Sequence, residues 1–241
     1  MVAILVLLLA ILTPSLQRAK GFAVDMTCRS QFHQLGLAFT TLAANHNGRL
    51  PGLWGPPWTG SERWQWSFMG SEAFTGTYRP AAPCTAVGTI VPLVGGEDEA
   101  RRIYRCPGQK PGVLFSGVGS NGMFDITMVQ SLPGAMLSKL PLRATVVLKS
   151  IGATPDVPLP VVVEEDPAQN INLQHVDMGH TAYNRLGSWH VGGSGNYLAV
   201  DGSAMHLNFN GGVGPEAWDW VARAPNGAMR NIGAALSYGG W

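Results

Sequence analysis

The chain begins with its most apolar stretch. Residues 1–16 (MVAILVLLLAILTPSL) carry no charged side chain, and the first charges are Arg18 and Lys20. A helix that crosses a bilayer needs about 20 apolar residues, and a signal peptide has basic residues ahead of its apolar core. We predict that residues 1–17 form the membrane-embedded start of a helix and expect about a dozen further residues before it, which would supply both missing features.

A helical stripe follows this apolar run. The stripe consists of Cys28, Phe32, Leu35, Phe39 and Leu42. These residues follow one another at steps of four, three, four and three positions. Such spacing places them on one face of a helix. We predict that residues 18–46 continue the helix into a globular head. The predicted residues for helix packing and assembly are Phe32, Leu35, Phe39 and Leu42.

The end of this helix is marked by Asn47-Gly48 and Pro51. Glycine accepts the left-handed conformation that closes many helices, and proline prevents the helix from resuming. We therefore predict one nearly continuous helix over residues 1–46, with any kink near Pro14 or Gly21. The alternative is a cleaved signal peptide followed by an unrelated helix.

The rest of the chain, residues 47–241, predicts a β-rich head. Glycine (31) and proline (17) are abundant and favour turns, while 46% hydrophobic residues suffice for a core. Residues 144–151 and 159–163 are β-branched runs typical of strands. Residues 196–209 contain Asp201-Gly202 between two short apolar runs, which predicts a hairpin with a two-residue turn. The fold class is α+β.

Composition also limits the partners. Charged residues make up 13% of the chain and the net charge is +1. A nucleic-acid-binding surface needs a surplus of basic side chains, so no nucleic-acid partner is expected. Trp54, Trp58, Trp64 and Trp66 crowd one proline- and glycine-rich stretch. They are interpreted as residues that anchor loops against the head or lie between subunits, with glycan stacking as the alternative.

The three cysteines, Cys28, Cys84 and Cys106, form no CxxC pair and no Cys/His cluster at zinc spacing. Cys28 falls on the helical stripe, where we expect it to be packed. Cys84 and Cys106 flank one loop, and in an oxidising compartment they form either a disulfide or two unrelated thiols.

One stretch is a candidate for metal binding. Carboxylates and imidazoles are ligands for calcium or a transition metal, and the members here are Glu164, Glu165, Asp166, His175, Asp177 and His180. Their spacing matches neither an EF-hand nor HExxH, so a solvated loop is the preferred interpretation. No other cofactor is indicated.

Several short motifs resemble the start of bacterial type IV prepilin-like proteins. They are Gln17-Arg18-Ala19-Lys20, a cysteine after it, Gln34-Leu35-Gly36-Leu37-Ala38 and Asn47-Gly48-Arg49-Leu50-Pro51. Tyr104-Arg105-Cys106-Pro107 and the sequence from His190 to Asp201-Gly202 resemble the planctomycete subgroup, whose C-terminal signature is His, nine residues and Asp-Gly. Here ten residues separate His190 from Asp201.

The resemblance implies a pilin-like fold, with the helix lying across an antiparallel sheet. It implies a structural subunit of a type IV pilus-like or type II secretion pseudopilus-like assembly in the bacterial inner membrane, with an extracytoplasmic head. The partners would be copies of the chain or related subunits. A membrane-anchored binding module for calcium or glycans is the alternative. An enzyme is not expected, since His190 and Asp201 lack a nearby nucleophile and Asp201-Gly202 has a sufficient role in a turn.

Overall fold

The fold was analysed in a computed structural model. It describes residues 2–50, 90–109, 126–129, 132, 135–140, 142–148, 152–164, 186–208, 221–223 and 229–231. The helices are α1 (Val2–Asn45) and α2 (Glu97–Ile103), with short 3-10 helices at Val91–Val94 and Leu137–Lys139. The strands are β1 (Ile126–Met128), β2 (Arg143–Leu148), β3 (Gly152–Pro158), β4 (Pro160–Glu164), β5 (Ser194–Ala199), β6 (Ala204–Asn208), β7 (Val221–Arg223) and β8 (Met229–Asn231).

The predicted long N-terminal helix is confirmed as α1, which runs for 44 residues and contains Pro14. It ends where Asn47 (φ 54°) and Gly48 (φ 75°) turn left-handed. The Gly48 N–H donates to the Ala43 carbonyl at 2.7 Å, which satisfies one carbonyl of the last turn. The left-handed conformation therefore begins at Asn47, one residue before the glycine expected to adopt it.

The two halves of α1 have different surroundings. Apolar side chains between Val2 and Leu16 are exposed, whereas the buried residues of α1 lie between Asp25 and Ala43. Phe32, Leu35 and Phe39 are among the core residues, and Leu42 joins them. These four side chains therefore pack within a single chain, because the stripe on α1 lies against the head.

The main sheet is antiparallel, with the strand order β1-β4-β5-β6. The helix α1 contacts β5 and β6, while α2 contacts α1. Both faces of β5 are buried: Leu198 lies towards α1, and the Tyr197 hydroxyl donates to the Pro158 carbonyl at 3.3 Å. A long helix in contact with a small antiparallel sheet is consistent with the predicted α+β class.

Two smaller antiparallel pairs, β2–β3 and β7–β8, occur in the part of the chain that the structure describes. The strand predicted over residues 144–151 corresponds to β2, and the one predicted over residues 159–163 corresponds to β4. Because β-branched side chains suit a pleated, buried surface, these runs indicated the strands to within a few residues.

The hairpin predicted around Asp201-Gly202 is present, but its turn has one more residue than expected. The Ala199 N–H donates to the Ser203 carbonyl, and the Gly202 N–H donates to the Ala199 carbonyl, each at 2.9 Å. The loop is therefore Val200-Asp201-Gly202, and only Gly202 has positive φ, at 84°. A three-residue loop with glycine at its left-handed position gives this geometry, so a two-residue turn with positive φ at Asp201 was wrong.

Candidate metal centre

Four side chains from distant parts of the sequence meet beneath α1. The donor atoms of Cys28, Cys106, Glu164 and His190 all lie within 4.8 Å of one another. Their residues are 0%, 1%, 1% and 4% exposed, respectively. A group of two thiols, a carboxylate and an imidazole is thus enclosed in an apolar core, where polar groups need partners.

Each member comes from a different element. Cys28 lies on the buried stripe of α1, Cys106 follows α2, Glu164 ends β4, and His190 precedes β5. His190 is positioned by a tight turn, since its backbone pairs with Ser194 and the Gly193 N–H donates to its carbonyl at 3.0 Å. Gly192 and Gly193 have positive φ, which allows the chain to reverse there.

Glu164 is the centre of the contacts. Its Oε1 lies 2.7 Å from Cys28 Sγ and 2.7 Å from His190 Nε2. Its other oxygen, Oε2, accepts the Asn196 backbone N–H at 2.7 Å. One carboxylate oxygen is thus held by the sheet, and the other points at the thiol and the imidazole.

Cys106 completes the group. Its sulfur lies 3.4 Å from His190 Nε2 and accepts the Gly108 backbone N–H at 3.3 Å. Burial raises the pKa of the Cys106 thiol, but its hydrogen bonds with Cys28 and His190 outweigh burial and lower the pKa below the usual value. These contacts therefore make the Cys106 thiol easier to deprotonate than the Cys28 thiol.

The pKa values of the other two residues that change, Cys28 and His190, are raised. Burial, the Cys106 hydrogen bond and the Glu164 charge raise the pKa of the Cys28 thiol. Burial lowers the pKa of His190, but hydrogen bonds with Cys106 and Glu164 and their charges prevail and raise it to about 10. The raised pKa favours the protonated imidazolium, whose positive charge lies beside Glu164.

A second layer of polar groups surrounds the four. Asp25 Oδ1 lies 3.5 Å from His190 Nδ1, and Nδ1 has no hydrogen bond of good geometry. The same oxygen accepts the Asn196 side-chain N–H at 2.9 Å, while Asp25 Oδ2 lies 3.0 Å from Arg29. His206 approaches Asn196 Oδ1 at 3.1 Å. The Asp25 carboxylate is thereby oriented towards the unused nitrogen of His190.

Small residues and one tryptophan enclose the group. A Cβ at Gly108 would lie 3.0 Å from Trp189 Cδ1 and 3.4 Å from Cys106 Sγ. A Cβ at Gly187 would lie 2.6 Å from the Trp189 ring and 3.0 Å from Glu164 Cβ. The Trp189 ring therefore packs against both glycines, next to Cys106 and Glu164.

The structure separates the residues that the sequence had grouped together. Of the predicted metal candidates, Glu164 is buried in β4, so the solvated loop expected there is wrong for this residue. Asp201 is exposed and its Oδ1 accepts the Ser203 N–H at 2.9 Å, whereas His190 contacts Glu164, Cys106 and Asp25. No His190–Asp201 hydrogen bond forms. Outside the described residues lie Cys84, Glu165, Asp166, His175, Asp177, His180, Trp54, Trp58, Trp64 and Trp66.

Sequence reasoning missed that Cys28 and Cys106 join Glu164 and His190. No two of these residues are closer than 26 positions in the chain, so a search for short ligand spacings does not find them. The motifs that resemble prepilin-like proteins contained a weak signal, because they include Cys28, Tyr104-Arg105-Cys106-Pro107 and His190. Those motifs meet at one place in the fold.

No family model, no curated protein and no solved structure matches the chain. The donor atoms themselves indicate which metal ions the group could bind. Thiolate and imidazole ligands suit zinc and other soft or borderline metals, whereas calcium takes six to eight oxygen ligands. The group containing Glu164 is thus unlike a calcium site.

Proposed function

We propose that the chain is a structural subunit of a type IV pilus-like or type II secretion pseudopilus-like assembly, anchored in a membrane with an extracytoplasmic head. The observation that carries this proposal is the division of α1. One half is apolar and exposed on all sides, and the other half is built into the core of the head. A large apolar surface exposed to water is unusual for a soluble protein and indicates contact with a membrane or with another protein.

The protruding half suits a bilayer. Its best 18-residue window has a mean hydropathy of 1.9, with none of that window buried in the head. Residues 2–17 rise about 24 Å at helical geometry, most of the ~30 Å hydrocarbon core. Arg18 and Lys20 then lie where long basic side chains can reach the interface. A signal sequence meets the same criteria of length and hydropathy, so the experiment must determine whether the N-terminal residues are cleaved from the mature protein.

A second apolar stripe on α1 faces away from the head. Phe22, Met26 and Leu37 are 57%, 63% and 57% exposed. Their spacing of four and eleven residues places them within about 60° on the helix, and the opposite side carries the buried stripe. Such an exposed apolar stripe supports contact with the helix of another subunit.

The first experiment tests anchoring with the full chain expressed in a bacterial host. Wild-type protein should remain in the membrane after alkaline extraction, keep its N-terminal residues, and expose its head to protease added to spheroplasts. Leu8→Lys places a charge in the span at a cost of about 2.5–3.5 kcal/mol and should release protein. The control Leu142→Lys changes an exposed head residue and should not. A mature chain beginning near residue 20 would instead establish a signal peptide.

The second experiment tests assembly through α1. A photoreactive amino acid at Met26 or Leu37 should form adducts with another copy or a related subunit in the membrane. At Leu142, exposed on the head, it should form none. An anchored protein without adducts at either helix position would favour the binding-module alternative over a filament subunit.

A further inference from the structure

The buried cluster lies in the head, apart from the apolar half of α1 and from the exposed stripe of Phe22, Met26 and Leu37. Four elements each direct one donor atom to the same point, and all four residues are buried. Leucine-sized apolar residues would fill such a space at lower cost, because every buried polar group must be compensated. A bound cation explains why two thiols, a carboxylate and an imidazole converge there.

The distances suit a tetrahedral ion. With zinc bonds of about 2.3 Å to sulfur and 2.0–2.2 Å to nitrogen and oxygen, tetrahedral donor atoms lie roughly 3.3–3.8 Å apart. Cys106 Sγ and His190 Nε2 are 3.4 Å apart. In such a shell a sulfur and an oxygen lie roughly 3.6 Å apart, and a nitrogen and an oxygen roughly 3.4 Å apart. Glu164 Oε1 is now 2.7 Å from both Cys28 Sγ and His190 Nε2, so it would have to move away from them by about 0.9 Å and about 0.7 Å, respectively. The four donor atoms lie within 4.8 Å of one another, so changes of about 1 Å or less in their separations would complete a tetrahedral shell.

The surrounding groups are those that support metal ligands. A ligating histidine usually donates its other ring N–H to a carboxylate, and Asp25 lies 3.5 Å from His190 Nδ1. The carboxylate oxygen of Glu164 that faces away from the thiols is held by the Asn196 N–H. The Gly108 N–H, aimed at Cys106 Sγ, stabilises negative charge on that sulfur.

We propose that Cys28, Cys106, Glu164 and His190 bind a structural zinc ion that joins the N-terminal helix to the head. Four protein ligands fill a tetrahedral shell, and their burial leaves no position for a substrate. The ion ties α1 to the segment after α2, to β4 and to the turn before β5. This assignment holds whether or not the chains assemble through α1.

The primary test uses the full chain in detergent, purified under reducing conditions without chelator. Elemental analysis should find one zinc per chain, retained through gel filtration and released by acid, because thiolates and imidazole bind the metal only when deprotonated. After exchange into cobalt(II), the protein should show thiolate-to-cobalt charge-transfer absorption and tetrahedral d–d bands. These measurements need no variant that might fail to fold.

Variants then identify the ligands. Cys28→Ser, Cys106→Ser, Glu164→Gln and His190→Gln should each lose stoichiometric zinc. Asp25→Asn should retain the site but bind zinc about 10–100-fold more weakly, because it removes the support of His190. The control His33→Gln removes an exposed imidazole of α1, and should keep full zinc content.

A disulfide between Cys84 and Cys106, one of the two alternatives that the sequence leaves open, provides the sharpest contrary case, because Cys106 cannot serve in both. Cys84→Ser should leave zinc content and the cobalt spectrum unchanged. Three results would overturn the proposal: folded, reduced wild-type protein without zinc or a cobalt–thiolate band; a Cys84–Cys106 bridge in protein isolated from its compartment; or a Cys28–Cys106 bridge there. Each is distinguishable from failure of membrane anchoring, which leaves metal content unaffected.

Discussion

Replacing Gly36 with alanine should weaken the packing of α1 on the β5–β6 hairpin, although alanine is the better helix former. Gly36 lies where the helix passes closest to the hairpin loop. A Cβ built at this position would be 2.6 Å from the Gly202 carbonyl oxygen and 3.0 Å from Leu198 Cδ1. The oxygen belongs to a backbone constrained by the three-residue turn, so it has little freedom to withdraw.

The magnitude follows from two opposing effects. Carbon and oxygen approach to about 3.3 Å at closest ordinary contact, so the new methyl group must separate helix and loop by about 0.7 Å. Overpacking of this kind costs about 1–3 kcal/mol. Alanine recovers about 1 kcal/mol of helix propensity relative to glycine. With a backbone obstacle the cost lies towards the upper end, and we expect a net loss of about 1–2 kcal/mol.

The assay is thermal unfolding of the full chain in detergent, followed by the circular dichroism of the head. A loss of 1–2 kcal/mol should lower Tm by about 2–8 °C in a protein of this size. The matched control is Gly21→Ala in the same helix. Its Cβ would meet only Val191 Cγ2, at 2.8 Å, and this methyl group lies on a partly exposed turn, where it can yield more readily than a backbone oxygen. Gly21→Ala should therefore leave Tm unchanged or raise it.

The comparison of the two variants is decisive because both make the same chemical change. If Gly36→Ala matched Gly21→Ala in Tm, the close approach of α1 to the hairpin would be refuted. Loss of stability in both variants would instead point to a general sensitivity of the helix, and the explanation by the Gly202 carbonyl would fail.

Other predictions concern the hairpin and the core. Gly202→Val should lower stability by about 1–2 kcal/mol in urea unfolding, since a β-branched residue must then hold positive φ; unchanged stability would contradict the turn. Phe39→Asp should cost several kcal/mol by burying an unpaired carboxylate, whereas Leu37→Asp, on the exposed side of α1, should leave unfolding of the head almost unchanged. His190→Ala should lower Tm relative to wild type by more in the presence of zinc than after treatment with a chelator. Equal decreases in Tm under the two conditions would count against a zinc ion that joins α1 to the head.

The sequence determined those features that depend on neighbours along the chain. The steps of three and four from Cys28 to Leu42 placed one face of a helix, and α1 buries that face. β-Branched runs indicated β2 and β4, and Asp201-Gly202 indicated a reversal between β5 and β6. Local propensity and periodicity suffice for such elements, because their formation involves residues only a few positions apart.

Tertiary structure alone decided the rest. The length of the turn at Val200-Asp201-Gly202 depended on how β5 and β6 pair, and that register is a property of two strands together. The cluster of Cys28, Cys106, Glu164 and His190 depended on four elements packing around one point. Glu164 resembled a surface acid because its sequence neighbours Glu165 and Asp166 are charged. Its strand turns that side chain inward, and the groups it meets there are distant in sequence, so no local pattern records them.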